Sequence, residues 1–261
     1  MSATAVSVRE VGPRDGLQAE APVTVEQRVR LVESLVATGI VDIEAVAFVS
    51  PRAVPSMAGA AEVMAALSAV EGVRYWALVP NLRGAQMALE AGAAGLSVTV
   101  SASPTYNEKN VHMSIEASLD VVAAIGAEAD GIPVDAVVSC AFGSPYEGDI
   151  APDAVLLLGS RILEGGASSI TYADTTGMAT PPRIAQLLAL TGPDVGLHLH
   201  ETRGTGLVNA YAALELGVTR FDTSIGGLGG SPFAAGAAGN LATEELVYLL
   251  DDLGIMSGID L

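Results

Sequence analysis

Eight short β-rich runs alternate with eight Ala- and Leu-rich helical segments along the chain, and this alternation predicts a closed parallel α/β barrel of the (β/α)8, or TIM-barrel, type. No change in composition divides the chain, and 261 residues suit one such barrel. We therefore expect residues 1–261 to form a single catalytic domain. A doubly wound open sheet is the alternative that the same alternation allows.

Each predicted unit consists of a strand and the helix that follows it. The predicted strands lie at 6–11, 41–46, 73–79, 95–101, 134–140, 168–173, 195–200 and 220–224. The predicted helices lie at 25–37, 58–69, 82–91, 114–129, 151–164, 182–190, 206–216 and 241–253. Because a helix follows every strand, all eight strands are expected to run parallel.

The chain is strongly acidic, with a formal net charge of −18 and a sequence pI of about 4.3. It has no basic patch that could release counterions from phosphates, which argues against a nucleic-acid-binding protein. The same charge disfavours contact with anionic membranes. No apolar run is long and charge-free enough to span a bilayer, and the N terminus lacks the basic-then-apolar pattern of a signal peptide. We therefore expect a soluble, cytoplasmic protein.

An arginine and an aspartate stand side by side in the run VGPRDGLQ, residues 11–18, directly after the first predicted strand. Asp15 can bind a divalent cation while Arg14, which is always charged, neutralises an anion that develops next to it. The letters Arg-Asp-Gly are also common in solvent-exposed turns. This run alone leaves both interpretations open.

A second group of candidate ligands lies at the end of the seventh predicted strand. His198 and His200 are two residues apart, so their side chains can point to the same pole of a barrel. By themselves they could equally be hydrogen-bonded residues at a strand end. Asp15 follows strand one and Asn240 follows the glycine-rich loop after strand eight, and strands one, seven and eight are close in a closed barrel. Carboxylate, amide and imidazole ligands predict a site for Mg²⁺ or Mn²⁺, with zinc and iron still open.

Three stretches carry a resemblance to a known family: VGPRDGLQ at 11–18, LHLHE at 197–201 and GGLGGSPF at 226–233. Shorter matches extend it over nearly the whole chain, namely IE at 43–44, FVSP at 48–51, PNL at 80–82, SCA at 139–141, PYEG at 145–148, DT at 174–175 and NLATE at 240–244. On these residues the chain resembles the 3-hydroxy-3-methylglutaryl-CoA (HMG-CoA) lyases. These are metal-dependent TIM-barrel lyases related to the isopropylmalate and homocitrate synthases.

The resemblance implies a role for each residue of the metal and catalytic groups. The family's metal ligands fall on Asp15, His198, His200 and Asn240. Arg14 would stabilise the enolate oxygen that forms when the carbon–carbon bond breaks. Asp15 or His198 would take the proton of the substrate's 3-hydroxyl group.

Further residues are expected to support these groups or to contact the substrate. Glu44, a charge in an apolar strand, is expected to pair with Arg14 and to belong to the catalytic group, although a purely structural pairing is the alternative. Gln18, Asn81, Asp174 and Thr175 are the expected substrate-binding residues. For Asn81 a turn-stabilising role is equally open, and for Asp174 a structural one. The candidate contacts for the phosphates of coenzyme A are Arg52, Arg83 and Lys109, the chain's only lysine.

Ser231 stands where the family's glycine loop carries a cysteine that acts as catalytic acid and base. A thiol with a pKa of ~8.5 exchanges protons near neutral pH, whereas an alcohol is far less acidic. Ser231 or a water molecule then serves as a weaker proton relay, or the substrate differs, or the activity is lost. The single cysteine, Cys140, excludes an internal disulfide and is interpreted as a small buried residue.

The expected function is therefore divalent-metal-dependent cleavage of HMG-CoA, or of a related 3-hydroxyacyl-CoA thioester, to acetyl-CoA and a keto acid; with HMG-CoA the keto acid is acetoacetate. One alternative is an aldolase for 4-hydroxy-2-oxo acids, or a related condensing enzyme. Another is a catalytically silent barrel that binds a metal or an acyl-CoA. We further expect a homo-oligomer, in the simplest case a dimer.

Overall fold

The computed structural model describes residues 5–230 and 239–261. In this part of the chain eight parallel strands close into one barrel in the order β1 to β8, with β8 paired to β1. The predicted (β/α)8 barrel is confirmed, and the doubly wound open sheet, which would leave two free edges, is excluded. The strands are β1 Ser7–Glu10, β2 Asp42–Ala47, β3 Arg74–Leu78, β4 Gly95–Ser101, β5 Val134–Ser139, β6 Ser169–Ala173, β7 Gly196–His198 and β8 Arg220–Thr223.

Helices follow the strands around the outside of the barrel, as the alternating sequence pattern predicts. They are α1 Val25–Ala37, α2 Ala60–Ala66, α3 Leu82–Glu90, α4 Pro104–Val111, α5 Ile115–Glu128, α6 Pro152–Glu164, α7 Pro181–Thr191, α8 Gly206–Glu215 and α9 Thr243–Asp252. Of these, α4 was not predicted, because it is short and polar and has no apolar repeat. The Ser103 side chain accepts a hydrogen bond from the Tyr106 backbone N–H and so begins this helix.

The Arg-Asp-Gly run is not an ordinary turn. Gly12–Gly16 form one π-helical turn, in which the backbone N–H groups of Asp15 and Gly16 both donate to the carbonyl oxygen of Val11, at 2.7 and 3.3 Å. Single π-helical turns are frequent at functional sites. The turn places Arg14 and Asp15 at the carboxyl end of β1, above the barrel interior.

Charged side chains meet inside the barrel, while the buried apolar residues of strands and helices form one connected core. Arg9 of β1 donates to Asp222 of β8 and to Asp135 of β5, and Asp135 also accepts from Thr171 of β6. In most barrels of this type, large branched apolar side chains fill this space. Here an ion-pair network occupies part of it and reaches His198 at the pole that carries the candidate site.

None of the described helices is both long and apolar enough to cross a membrane.

Candidate active site

Four polar residues that are far apart in the sequence meet at the carboxyl ends of the strands. Asp15 lies on the π-helical turn after β1, and His198 is the last residue of β7. His200 and Asn240 form an isolated antiparallel bridge, which joins the segment after β7 to the segment before α9. TIM barrels carry their active sites at this pole.

The side chains of these four residues are in close contact. His198 Nε2 is 3.2 Å from His200 Nε2, 3.1 Å from Asn240 Oδ1 and 4.0 Å from Asp15 Oδ2. Asn240 Nδ2 donates to Asp15 Oδ2 at 2.8 Å. Two adjacent ligands of an octahedral Mg²⁺ ion, with bonds of about 2.1 Å, are about 3.0 Å apart. The spacing of the cluster therefore suits one small cation.

The acceptor atoms of the cluster also point towards one another. His198 Nδ1 faces the Asp222 carboxylate at 3.3 Å, so Nδ1 carries a proton, and Nε2 presents a lone pair when the ring is neutral. Asn240 directs its N–H groups to Asp15 and to the carbonyl of Leu228, which leaves its oxygen facing His198. Acceptor atoms this close repel each other unless a cation or a proton lies between them. In the described ranges, no group of three or more histidine, cysteine, aspartate or glutamate residues is arranged to bind a metal. The candidate site therefore depends on the Asn240 amide as a fourth ligand.

The charges of the cluster keep Asp15 ionised and His200 neutral. Burial raises the pKa of Asp15, but Arg14, His198 and the hydrogen bond from Asn240 together outweigh it and hold this pKa below its ordinary value. Burial, reinforced by His198, lowers the pKa of His200 to about 3. Burial opposes a charge on His198 as well, yet Asp222 and Asp15 raise its pKa above the ordinary value. Ionised aspartate and neutral imidazole are the forms that bind cations.

Arg14 is buried between two carboxylates. Its Nε donates to Glu44 Oε2, and its Nη1 donates to Asp15 Oδ1 at 2.7 Å. Glu44 comes from β2 and is fully enclosed, and its second oxygen, Oε1, has no hydrogen-bond partner. The structure thus contains the ion pair that the apolar setting of Glu44 predicts. It also places a fixed cation directly beside the candidate metal ligand.

A cavity of about 200 Å³ extends from this cluster across the mouth of the barrel. Arg14, Asp15, His198 and His200 lie on its lining. Towards β3, β4 and β5 the wall is formed by smaller and apolar side chains together with residues of α4, including Leu78, Thr99, Val137, Tyr106 and Asn110. One end of the cavity is therefore charged and the other is largely uncharged.

The predicted substrate-binding residues fall into two groups. Gln18 and Thr175 line the cavity, and Gln18 Oε1 is 3.5 Å from Arg14 Nη1. Asn81 is exposed, and its side-chain oxygen accepts from the Gly84 N–H at the start of α3, so it caps a helix and does not line the cavity. Asp174 is buried; its Oδ1 accepts from the Ala179 N–H while Oδ2 has no hydrogen-bond partner. Burial raises the pKa of Asp174 to about 7.

The remaining sequence-based candidates lie further from the cluster. Arg52, Arg83 and Lys109 are exposed, and Lys109 belongs to α4, which borders the cavity. Cys140 is buried, and burial raises the pKa of its thiol to about 12, as expected for a small residue without a proton-transfer role. Ser231 lies outside the described residues.

Sequence analysis missed two buried carboxylates that support the site. Glu10 Oε1 accepts from the backbone N–H groups of Gly12 and Ile225 at 2.6 and 3.0 Å, and its Oε2 accepts from Thr243 Oγ1 at 2.5 Å. It thereby joins the turn that carries Arg14 and Asp15 to the segment after β8 and to α9. Asp222, which contacts His198, was missed as well. The available signal was the same for both, a charged residue within a predicted strand.

Comparison with known proteins identifies the family to which this arrangement belongs. A family model described as HMGL-like matches residues 5–261. The chain belongs to the HMGL-like family. It is 44% identical to the mitochondrial hydroxymethylglutaryl-CoA lyase of Gallus gallus, in an alignment that covers 98% of this chain and 89% of that protein. It is also 44% identical to the hydroxymethylglutaryl-CoA lyase of Pseudomonas mevalonii, over 98% of this chain and 88% of the relative.

Solved structures of HMGL-like lyases have the same fold throughout. An HMG-CoA lyase from Acinetobacter baumannii, in complex with coenzyme A and 3-methylmalate, superposes with a TM-score of 0.95 at 39% identity, covering 100% of this chain and 88% of that one. The hydroxymethylglutaryl-CoA lyase of Pseudomonas aeruginosa gives a TM-score of 0.94 at 39% identity, with 99% and 89% covered. The predicted family and the predicted enzyme class, a lyase, are confirmed.

Proposed function

We propose that this HMGL-like protein cleaves HMG-CoA to acetyl-CoA and acetoacetate, with residues 1–261 acting as one catalytic domain. One observation carries the proposal: the buried guanidinium of Arg14 directly contacts Asp15 within the cluster of His198, His200 and Asn240. A cation site beside a fixed positive charge is what an enolate-forming cleavage requires. The names of the relatives support HMG-CoA as the substrate.

We further propose that Asp15, His198, His200 and Asn240 hold a divalent cation. The dependence of HMGL-like lyases on a divalent metal supports this assignment, and so do the facing lone pairs of His198 and Asn240. The mixture of oxygen and neutral nitrogen ligands without a thiolate favours Mg²⁺ or Mn²⁺. When bound, such a cation lowers the pKa of a coordinated hydroxyl group and polarises a neighbouring oxygen.

Different side chains around this site would accept the hydroxyl proton, stabilise the enolate and protonate it. Asp15 is ionised and has two carboxylate oxygens, so it can accept the proton of the 3-hydroxyl while one oxygen holds the cation. His198 has a single free lone pair, on Nε2, and is the alternative acceptor only when that lone pair does not hold the cation. Cleavage of the C2–C3 bond then leaves an enolate on the thioester, and its oxygen is stabilised by Arg14. Glu44 holds the Arg14 guanidinium in place through Nε. Protonation of the enolate carbon completes acetyl-CoA, and the resemblance to the family assigns this proton to Ser231 or to a water molecule.

The cavity supports a thioester substrate, although the protein offers few cations for the phosphates of coenzyme A. Lys109 of α4 is the proposed contact, because Tyr106 and Asn110 of the same helix line the cavity. Gln18 and Thr175 are the proposed polar contacts of the acyl group. A related lyase was solved in complex with coenzyme A, which supports a coenzyme A site in this fold.

A product assay tests the proposed function. The protein loaded with Mn²⁺ is incubated with HMG-CoA, and released acetyl-CoA and acetoacetate are quantified in parallel with pyruvate release from 4-hydroxy-2-oxo acids. We expect acetyl-CoA and acetoacetate in equal amounts and no pyruvate. Pyruvate as the only product would identify an aldolase, and no product from either substrate would indicate a catalytically silent barrel. The homodimeric state and the cytoplasmic location stay predictions, of which sedimentation velocity checks the first.

A further inference from the structure

A chain of buried charged groups reaches His198 from inside the barrel, on the side away from the cavity. Arg9 of β1 makes two hydrogen bonds to Asp222, from Nε to Oδ1 and from Nη2 to Oδ2, both at 2.9 Å. Asp222 Oδ2 in turn is 3.3 Å from His198 Nδ1. Arg9 and Asp222 are both less than a tenth exposed.

The strand register brings these three residues to one level of the barrel. Asp222 is the paired neighbour of His198 between β7 and β8, and it is also the paired neighbour of Arg9 between β8 and β1. Residues paired in this way in parallel strands project to the same face of the sheet. The contacts therefore follow from the barrel's backbone and do not depend on a flexible loop.

Arg9 is itself held on the side opposite Asp222. Its Nη2 donates to Asp135 Oδ2 at 2.8 Å, and its guanidinium carbon lies 5.1 Å from the centre of the Trp76 ring. Thr171 and Ser169 donate hydrogen bonds to Asp135. A planar guanidinium fixed by two carboxylates and an aromatic ring restricts the rotation of Asp222.

We propose that Asp222, oriented by Arg9, is a positioning residue that fixes the tautomer and the ring orientation of His198 and so presents His198 Nε2 to the divalent cation. This inference rests on the proposed function, because it assumes that His198 is a metal ligand. Carboxylates that accept the second N–H of a metal-binding histidine commonly act in this way. Arg9 and Asp222 are not among the residues that line the cavity, and in the described part of the chain the contact between Asp222 and His198 is what joins them to the cluster.

Two matched variants test the proposal, Asp222→Asn and Asp135→Asn. Each replaces a buried carboxylate that accepts from Arg9 Nη2, but only Asp222 also contacts His198. The metal-free proteins are titrated with MnCl₂ by calorimetry at one pH and without substrate. We expect the Mn²⁺ affinity to fall about 10- to 100-fold in Asp222→Asn and by less than about threefold in Asp135→Asn. Unchanged affinity in Asp222→Asn, or an equal fall in both variants, would overturn the proposal.

A second measurement does not require either variant to fold. In the wild-type protein loaded with Mg²⁺, the ring ¹⁵N chemical shifts of His198 should show the proton on Nδ1. A proton on Nε2 instead would overturn the proposal.

These experiments separate the inference from the proposed lyase function, because neither uses HMG-CoA. A wild-type protein that binds Mn²⁺ and shows the predicted loss in Asp222→Asn, but releases no acetyl-CoA, would refute the proposed reaction and support the positioning role. A wild-type protein that binds no Mn²⁺ would overturn both.

Discussion

Replacing Arg14 by lysine separates its chemical role from its structural one. In the structure the guanidinium contacts Glu44 through Nε and Asp15 through Nη1, two atoms that a single lysine ammonium cannot replace together. Loss of one charge-assisted hydrogen bond costs about 2 kcal/mol of folding stability, which for a chain of this length lowers Tm by about 4 to 8 °C. Loss of a fixed donor to the enolate oxygen lowers kcat by about 10²- to 10³-fold.

The assay measures kcat and KM for HMG-CoA with saturating Mn²⁺ at 25 °C, where Arg14→Lys remains folded, and Tm by calorimetry. Arg74→Lys is the matched control. Arg74 pairs with Asp42 at 2.6 Å at the opposite end of the barrel, and its side chain is 52% exposed. Such a pair contributes about 0 to 1 kcal/mol, so its kcat should stay within about twofold of wild type. A fall in Tm for Arg14→Lys with less than a tenfold fall in kcat would show that Arg14 mainly neutralises Glu44.

Three further predictions concern the metal, the proton donor and the pH dependence of stability. His200→Ala should abolish Mn²⁺ binding in calorimetry while the metal-free Tm stays near that of the wild type, and retained affinity would contradict the ligand assignment. Ser231→Cys should raise the rate of HMG-CoA cleavage by about 10²- to 10⁴-fold if proton delivery limits the wild type; an unchanged rate would assign the proton to another donor. Burial raises the pKa of Glu10 from 4.5 to about 7. The folded protein therefore binds the carboxyl proton of Glu10 more tightly than the unfolded chain does, and this contribution to stability is lost as the pH rises from 4.5 to 7. Between pH 4.5 and pH 7 the free energy of unfolding of the wild type, from urea titrations, should fall relative to Glu10→Gln by about 3 kcal/mol, and parallel curves would refute the shift.

The fold and part of the candidate site were predictable because they depend on local patterns. Alternating strand and helix segments specify the units, and short right-handed connections between parallel strands leave few ways to arrange them. The spacing of His198 and His200 specifies that they share a face. The π-helical turn at Gly12–Gly16 was not predictable, since its sequence also suits a common turn. Asn81 was predicted to bind the substrate because it matches the family's motif, but in the structure its side chain caps helix α3.

The sequence by itself therefore determined the barrel, the family and the set of polar residues from which a metal site could be built. Only the tertiary structure decided how these residues are supported. Arg9 and Asp222 are 213 positions apart, and no local pattern links them. Barrel closure pairs β8 with β1 and brings both residues to the level of His198. The physical reason is that a charged side chain inside the barrel must be buried with a partner of opposite charge, and only the closed sheet specifies which residue that partner is.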